Sequence, residues 1–388
     1  MRKVRLKKKL ERVIANGHPW IFRDAISGDL PRPGQVITVL DRQSRFLARG
    51  LAEAGPIGVR VMTTEDTVVD AGLFARRIQA AADLRRRVVP PDTSAYRLLH
   101  GEGDRIPGVV CDVYGEYAVL QFDGQAAAEW LPAVRDGLDP VLRERKIGNL
   151  ILHSGYRNQR RARALRGELP RGTLVVHEHG MLLEVDVVKG QKTGMFMDHR
   201  ESRYMVRGLV RDRDVLNLFG YTGGFSVAAG LGGARRVVTV DRSAEALELA
   251  ERNWAKNGLP PDRHSVHAEL VRDYTQTAKR DRERYGLVIS DPPSFAPSER
   301  KVRKALDAYR ALHSSALGLL EPGGLYLAAS CSSHVRMAAF EKTILRAAHG
   351  AGKLLQVLER RGAPADHPRL AAFEEGDYLK VILARLLI

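Results

Sequence analysis

From Val4 to about Met62 the chain carries short apolar, β-branched runs, Val36 to Leu40 and Val59 to Met62 among them, broken by Gly and Pro turns such as Pro31-Arg-Pro-Gly34. Runs of that length punctuated by turn residues predict a small β-barrel or sandwich. The pattern then becomes helical. Ala71 to Val88 is rich in Ala, Leu and Arg, and Val89-Pro-Pro91 stops it, since proline can neither donate the backbone hydrogen bond nor continue the turn. Strand-like runs resume at Val109 to Tyr114 and Tyr117 to Phe122 around a Gly115-Glu116 turn. A helical run, Ala126 to Leu142, and strands at Asn149 to Ser154, Thr173 to His177 and Met181 to Val185 follow. This second block predicts a small α+β domain.

After Lys189-Gly190-Gln191 the pattern alternates strand and helix, with apolar runs at Val215 to Leu218, Val237 to Val240, Leu287 to Ser290 and Leu325 to Ala329. Repeated βα units imply a parallel, doubly wound sheet with right-handed crossovers. The expected organisation is a β-barrel at 1–72, a central α+β domain at 73–188 and a Rossmann-like α/β domain at 189–388.

Composition narrows the partners. With 388 residues, two or three domains are expected. Lys and Arg number 62 against 46 Asp and Glu, a net charge of +16, so a polyanion is the natural partner. The only cysteines are Cys111 and Cys331, with no spacing of a zinc site or disulfide framework, which fits a reducing compartment and no metal. His177 and His179 fall in a predicted hairpin without further ligand spacing. The basic start, MRKVRLKKKLERV, lacks the apolar core of a signal peptide, and no stretch approaches the roughly 20 apolar residues of a membrane span. The chain therefore reads as soluble and cytoplasmic, without membrane contact.

The candidate cofactor site follows the first strand of the third region. Val215-Leu-Asn-Leu218 runs into Phe219-Gly-Tyr-Thr-Gly-Gly-Phe225 and a small-residue helix, Ser226 to Gly230. Glycines there let the backbone approach a ligand and open a helix N-terminus toward it. The second strand ends in Asp241, where an acidic side chain in such folds accepts from a ribose diol. Ser243 offers an N-cap for the helix Ala244 to Asn257. The spacing is not G-x-G-x-x-G, which leaves a nicotinamide dehydrogenase with fold-level support only and points to another nucleoside-containing cofactor. Glu269, on the third strand, is placed to meet the adenine or is a surface glutamate.

The fourth strand delivers Asp291-Pro-Pro-Ser-Phe295, a loop stiffened by two prolines, and the fifth delivers Ser330-Cys331-Ser332. Ligands of open parallel sheets bind along the C-terminal strand edge, so the glycine turn, Asp241, Asp291 and Cys331 share one expected crevice. A cysteine beside a carboxylate and a methyl donor suggests cytosine-5 chemistry, because carbon 5 is not nucleophilic until a thiolate adds to carbon 6. Cys331 is then the nucleophile and Asp291 the partner of the N3 and amino edge. The base that takes the carbon 5 proton is not identifiable from the sequence: His334 is close by, but a lone histidine is more often structural or solvent-exposed. Cys111, inside a strand, reads as a structural thiol.

Taken in order, several words of the chain resemble the bacterial 23S ribosomal RNA cytosine-5 methyltransferases of the large subunit methyltransferase I type. They are Gly17-His-Pro-Trp-Ile-Phe22, Gly101-Glu-Gly-Asp-Arg-Ile-Pro-Gly108, Lys192-Thr-Gly-Met-Phe-Met-Asp-His-Arg200, Asn217 to Phe225, Asp291 to Phe295, Ser330-Cys-Ser332, and Ala365-Asp-His-Pro368 with Gly376-Asp-Tyr-Leu-Lys380. The resemblance implies an N-terminal PUA domain for RNA, a central domain that helps hold substrate and a catalytic domain that uses S-adenosyl-L-methionine. It also implies that Lys192 to Arg203 packs over the cofactor, so that Phe196, Asp198 and Arg200 join Asn217, Phe219, Tyr221, Thr222, Gly223, Asp241, Glu269 and Asp291 as candidate cofactor contacts. The alternative for that segment is a structural linker. Other RNA cytosine-5 families carry a second cysteine where this chain has Pro293. A related family that makes 7-methylguanosine shares the Asp-Pro-Pro-x-Phe word without Ser-Cys-Ser.

The expected partner is large-subunit ribosomal RNA, met by basic tracts at Arg2 to Arg12, Arg85 to Arg87, Arg157 to Arg166 and Arg300 to Lys304, with the target cytosine flipped out of its stack. A homodimer stays open. So do two other functions, an N-methyltransferase acting on guanine or adenine in RNA and a non-catalytic RNA-binding assembly factor.

Overall fold

The computed structural model of the chain describes residues 1–155 and 161–387. They form two compact units, each assembled from several stretches of chain. The first comprises Met1–Val176, Val185–Met197 and Ala365–Gly376; the second comprises His177–Glu184, Asp198–Pro364 and the residues from Asp377 onward.

The first unit begins with a six-stranded sheet. Its strands are β1 (Arg2–Leu6), β2 (Trp20–Phe22), β3 (Ile26–Ser27), β4 (Val36–Leu40), β5 (Phe46–Ala52) and β6 (Ile57–Thr63), in the order β2-β6-β5-β4-β1-β3, with the short helix α1 (Glu11–Ala15) after β1. The basic tract Arg2 to Arg12 opens with the first strand. Val4 and Leu6 are buried while Arg2, Lys3 and Arg5 are exposed, the period-two alternation of a half-buried strand. Those apolar positions join Ile14, Ile21, Ile37, Val39 and Val59 in one core.

A five-stranded sheet follows, made of β7 (Ala95–His100), β8 (Val109–Tyr114), β9 (Tyr117–Phe122), β10 (Asn149–Ser154) and β11 (Arg161–Arg166), in the order β11-β10-β9-β8-β7. Two helices share its core, α2 (Ala71–Val88) through Phe74, Ile78 and Ala82, and α4 (Leu131–Glu144) through Val134, Leu138 and Leu142. Each of these buried side chains larger than alanine contributes roughly 1.5–3 kcal/mol. The single helix expected over Ala126 to Leu142 is two, α3 (Gln125–Ala128) and α4. Pro132 favours a fresh helix start, and Trp130 is anchored between them, its ring stacked 4.9 Å from Phe74 and its Nε1 donating to the Gly34 carbonyl at 2.9 Å.

Several words of the sequence meet inside this unit. Trp20 lies edge-on to Phe373 at 4.6 Å and donates from Nε1 to Glu102 at 2.8 Å. Arg60, 2% exposed, bonds Glu102 at 2.6 Å and Glu53 at 2.9 Å. The Arg85 to Arg87 tract is not a plain phosphate-facing surface. Arg85 is buried against Asp104 and donates to the Asp366 carbonyl at 2.7 Å, and Arg86 pairs with Glu144. Of the tract Arg157 to Arg166, residues 157–160 lie outside the described residues and the remainder is β11.

A hairpin, β12 (Leu174–Glu178) and β13 (Met181–Val185), precedes the main sheet of the second unit. That sheet contains β14 (Asp214–Leu218), β15 (Arg236–Asp241), β16 (His264–Ala268), β17 (Tyr285–Ser290), β18 (Leu320–Ser330), β19 (Leu355–Arg361) and β20 (Lys380–Leu386), in the order β16-β15-β14-β17-β18-β20-β19. The first five strands are parallel, as expected. The last two are not. β20 inserts antiparallel between β18 and β19, so the sheet is mixed rather than wholly parallel. Helices α5 (Arg200–Arg207), α6 (Gly224–Leu231) and α7 (Ala244–Lys256) pack on one face, and α8 (Val271–Arg280), α9 (Val302–Leu317) and α10 (Met337–Gly350) on the other. Burial on both faces explains why β17 reads as a continuous apolar run. The strand order reverses at β14, between β15 and β17, and that switch point is where such sheets bind ligands. Among the described residues, no helix is long and apolar enough to cross a membrane.

Candidate active site

Beyond β14 the backbone turns sharply, with Phe219 at φ 61° and Tyr221 at φ 47°. Non-glycine residues in that region cost about 1–3 kcal/mol each and persist where surrounding contacts hold them. Here Gly220 donates to the Val240 carbonyl at 3.0 Å, and a Cβ at Gly220 would stand 2.3 Å from Thr239 Cγ2. Gly223, at φ 76°, caps α6, and its Cβ would stand 2.7 Å from that of Ala250. Neither position accepts a side chain.

The turn is tied to the next strand end. The Tyr221 and Ser243 amides donate to the two Asp241 carboxylate oxygens, each at 3.0 Å, and the Glu269 amide donates to the Asp241 carbonyl at 3.1 Å. The Thr222 carbonyl accepts from Asn253 at 2.9 Å. Asn217 is buried beneath the turn, where its amide donates to Ser226 at 2.8 Å; Ser226 lies 2.7 Å from Thr239, which in turn reaches His264. Burial pushes the His264 imidazole down to about 4. Asn217 thus forms the floor of the turn, while Phe219, Tyr221, Asp241 and Glu269 stay half-exposed around it.

The Lys192 to Arg200 word divides between the units. Phe196 belongs to the first, half-buried under the Lys192 ammonium at 4.3 Å. Asp198, His199 and Arg200 belong to the second. The Tyr378 hydroxyl donates to Asp198 at 2.9 Å, and the buried Arg200 donates from Nε to Glu201 at 2.9 Å. His199 Nε2 lies 3.2 Å from Asp291, and its ring meets Phe225 edge-on at 5.4 Å. Sequence reasoning passed over His199 and Tyr378, although both stand inside the words already singled out.

Cys331 follows the end of β18, half-buried between two serines that are fully buried. The Tyr309 hydroxyl, on α9, lies 2.9 Å from both the Ser330 and the Ser332 hydroxyls. Ser332 also meets Ser294 at 3.1 Å, which ties the cysteine turn to the Asp291 loop. The flanking serines therefore anchor the turn around the half-buried cysteine. Lys380 donates from its buried ammonium to the Ser332 carbonyl at 2.6 Å. Tyr309 and Lys380 carry no local signal of this role, since both reach the turn through tertiary packing. Cys111 is 0% exposed and burial pushes its thiol well up, as a structural cysteine requires. His334 is exposed on the turn beyond Cys331.

Four consecutive strand ends thus present a strained glycine turn at a helix N-terminus, a carboxylate with lone pairs left over after two amide bonds, a second carboxylate and a cysteine. That donor set suits a nucleoside-bearing ligand, its diol at Asp241 and its polar chain at the turn. The buried Nδ1 of His199 has no hydrogen-bond partner among the described residues, an open polar position between Asp291 and Phe225.

Comparisons with known proteins bear on the family of the chain. Residues 123–385 match the family described as S-adenosylmethionine-dependent methyltransferase, and residues 4–64 match the PUA-like domain. The chain is 37% identical to the ribosomal RNA large subunit methyltransferase I of Salmonella arizonae, with 98% of this chain and 97% of that one covered. It is 35% identical to the protein of the same name from Cronobacter sakazakii, with 97% of each covered. It is 36% identical to the ribosomal RNA large subunit methyltransferase of Deinococcus radiodurans, with 99% and 97% covered. Among solved structures, a protein described as "a putative methyltransferase complexed with SAH" superposes with a TM-score of 0.89 at 24% identity over 99% of this chain and all of that one. At that identity the likeness speaks for the fold.

Proposed function

This chain belongs to the S-adenosylmethionine-dependent methyltransferases of the ribosomal RNA large subunit methyltransferase I family, and we propose that it methylates carbon 5 of a cytosine in large-subunit ribosomal RNA through a covalent adduct with Cys331. The observation that carries this reading is the half-buried Cys331, held by Ser330, Ser332 and Tyr309 beside the Asp291 loop.

S-adenosylmethionine, when bound, supplies an electrophilic methyl group on its sulfonium. Asp241 would hold the ribose diol and Glu269 the adenine edge, while Phe219, Tyr221, Thr222 and Gly223 would line the turn that meets the methionine part. Asn217 supports that turn from below, and Phe196, Asp198 and Arg200 come from the segment assigned to cover the ligand. The Cys331 thiolate adds to carbon 6 of the flipped cytosine and forms a carbon–sulfur bond, which makes carbon 5 nucleophilic. Asp291, braced by His199, hydrogen-bonds the N3 and amino edge as electron density moves there. Carbon 5 forms a bond to the methyl carbon as the sulfur–methyl bond breaks and leaves a neutral thioether; carbon 5 then loses its proton to a base, and elimination of the thiolate restores the ring and the enzyme. The PUA-like residues 4–64 and the net charge of +16 support RNA as the partner, with phosphate contacts that weaken as salt rises.

Incubation with unmodified large-subunit RNA and methyl-labelled S-adenosylmethionine, followed by nucleoside analysis, tests the assignment. Labelled 5-methylcytosine supports it. A methylated purine replaces it with N-methylation, and cofactor binding without any labelled nucleoside replaces it with an assembly role.

A further inference from the structure

Lys380 opens β20 and is the cross-strand partner of Ser330, the last residue of β18 before Cys331. Its side chain is 1% exposed. The Nζ atom donates to the Ser332 and Tyr378 carbonyls, each at 2.6 Å. Among the described residues no carboxylate pairs with it, the nearest electrostatic partners being Cys331 and Asp377. Burying an ammonium without a paired anion is costly, and two carbonyls offset only part of that cost. Two groups can balance this charge, the Asp377 carboxylate and, when ionised, the sulfur of Cys331, and it is the cysteine turn that the lysine holds, opposite Ser330 and bonded to the Ser332 carbonyl.

We propose that Lys380 is a positioning residue for the nucleophile: its ammonium holds the Cys331 turn through the Ser332 carbonyl and supplies the positive charge against which the sulfur ionises. A thiolate adds to carbon 6 and a thiol does not, so the fraction ionised enters the rate directly. Lys380 transfers no proton in this role and acts through its charge. Burial pulls the ammonium down to about 8, against the opposing push of Cys331 and Asp377. Tyr309 faces the same sulfur from α9, but burial raises its phenol, which keeps it neutral at ordinary pH. Asp377 faces the ammonium. The catalytic meaning of this inference rests on Cys331 as nucleophile; the ionisation itself is measurable without turnover.

The test is the pH dependence of Cys331 alkylation by iodoacetamide in the full-length protein, where the fully buried Cys111 does not compete. The wild-type midpoint is expected below the ordinary thiol value of about 8.5. In Lys380→Met the midpoint rises by about one unit or more, roughly a tenfold loss of thiolate at neutral pH, and Lys380→Arg stays near wild type. A wild-type midpoint at or above the ordinary value overturns the proposal even if the methionine variant fails to fold. So does a folded Lys380→Met protein with an unshifted midpoint. Methyl transfer by Cys331→Ala, measured in parallel, separates the two failures: an active alanine variant removes the nucleophile, whereas an inactive one with a Lys380-independent midpoint removes only the role of Lys380.

Discussion

His199 Nε2 stands 3.2 Å from the Asp291 carboxylate, and the histidine side chain is 3% exposed against 22% for the aspartate. The pair joins the Asp198-His-Arg200 word to the Asp-Pro-Pro loop, so one of the segments expected to cover the cofactor also orients the carboxylate assigned to the cytosine edge.

His199→Ala removes that brace without touching the nucleophile. The single-turnover rate of methyl transfer is expected to fall by about 10²-fold, because a catalytic group displaced by an ångström loses rate of that order. Cofactor affinity, measured calorimetrically on the same variant, changes much less. A loss confined to affinity would assign His199 to the cofactor instead.

Asp241→Ala acts on binding. The carboxylate accepts the Tyr221 and Ser243 amides, so its removal releases the glycine turn as well as the diol partner. S-adenosylmethionine affinity should drop at least tenfold, about 1.4 kcal/mol, in isothermal titration.

Tyr309→Phe probes the serine anchors. The phenol oxygen lies 2.9 Å from both the Ser330 and Ser332 hydroxyls inside the core. Leaving buried hydroxyls short of a partner costs about 1–3 kcal/mol, which urea unfolding will read, and methyl transfer should fall as Cys331 loses its fixed position.

The strands and the site differ in how far they can be read from sequence. α2, β4, β8, β9, β10 and β13 match their expected bounds to the residue, because Gly and Pro punctuate them and their apolar runs are local signals. β1 was hidden by the lysines and arginines on its outer face, and the antiparallel insertion of β20 depends on pairing partners distant in the chain. Asp241 closes its strand and Asp291 and Cys331 follow theirs, so the topology brings them to one edge once the strands are known. His199, Tyr309 and Lys380 reach the same edge from a turn, a helix and a distant strand, which only tertiary packing reveals.

Acid should destabilise the fold through His313. Its side chain is buried, Nδ1 lies 2.7 Å from the Tyr326 hydroxyl, and burial pushes the imidazole down to about 3. The unfolded histidine takes up a proton below about 6.5 and the folded one does not, so the unfolded state binds more protons in that window and stability falls as pH falls, by up to about 1.4 kcal/mol per unit. Chemical unfolding between about pH 6 and 4.5 should show a shallower dependence in His313→Gln, with the steeper slope in wild type.

The most direct test of the covalent mechanism uses large-subunit RNA carrying 5-fluorocytosine with S-adenosylmethionine. Fluorine on carbon 5 cannot leave as a proton does, so an enzyme that adds a thiolate to carbon 6 stalls as a stable protein–RNA adduct. The wild type should give a denaturation-resistant adduct mapped to Cys331, and Cys331→Ala should give none. Methyl transfer to ordinary RNA by a wild-type protein that forms no adduct with the fluorinated RNA, or an adduct that persists in the alanine variant, would contradict the assignment of Cys331 as the nucleophile.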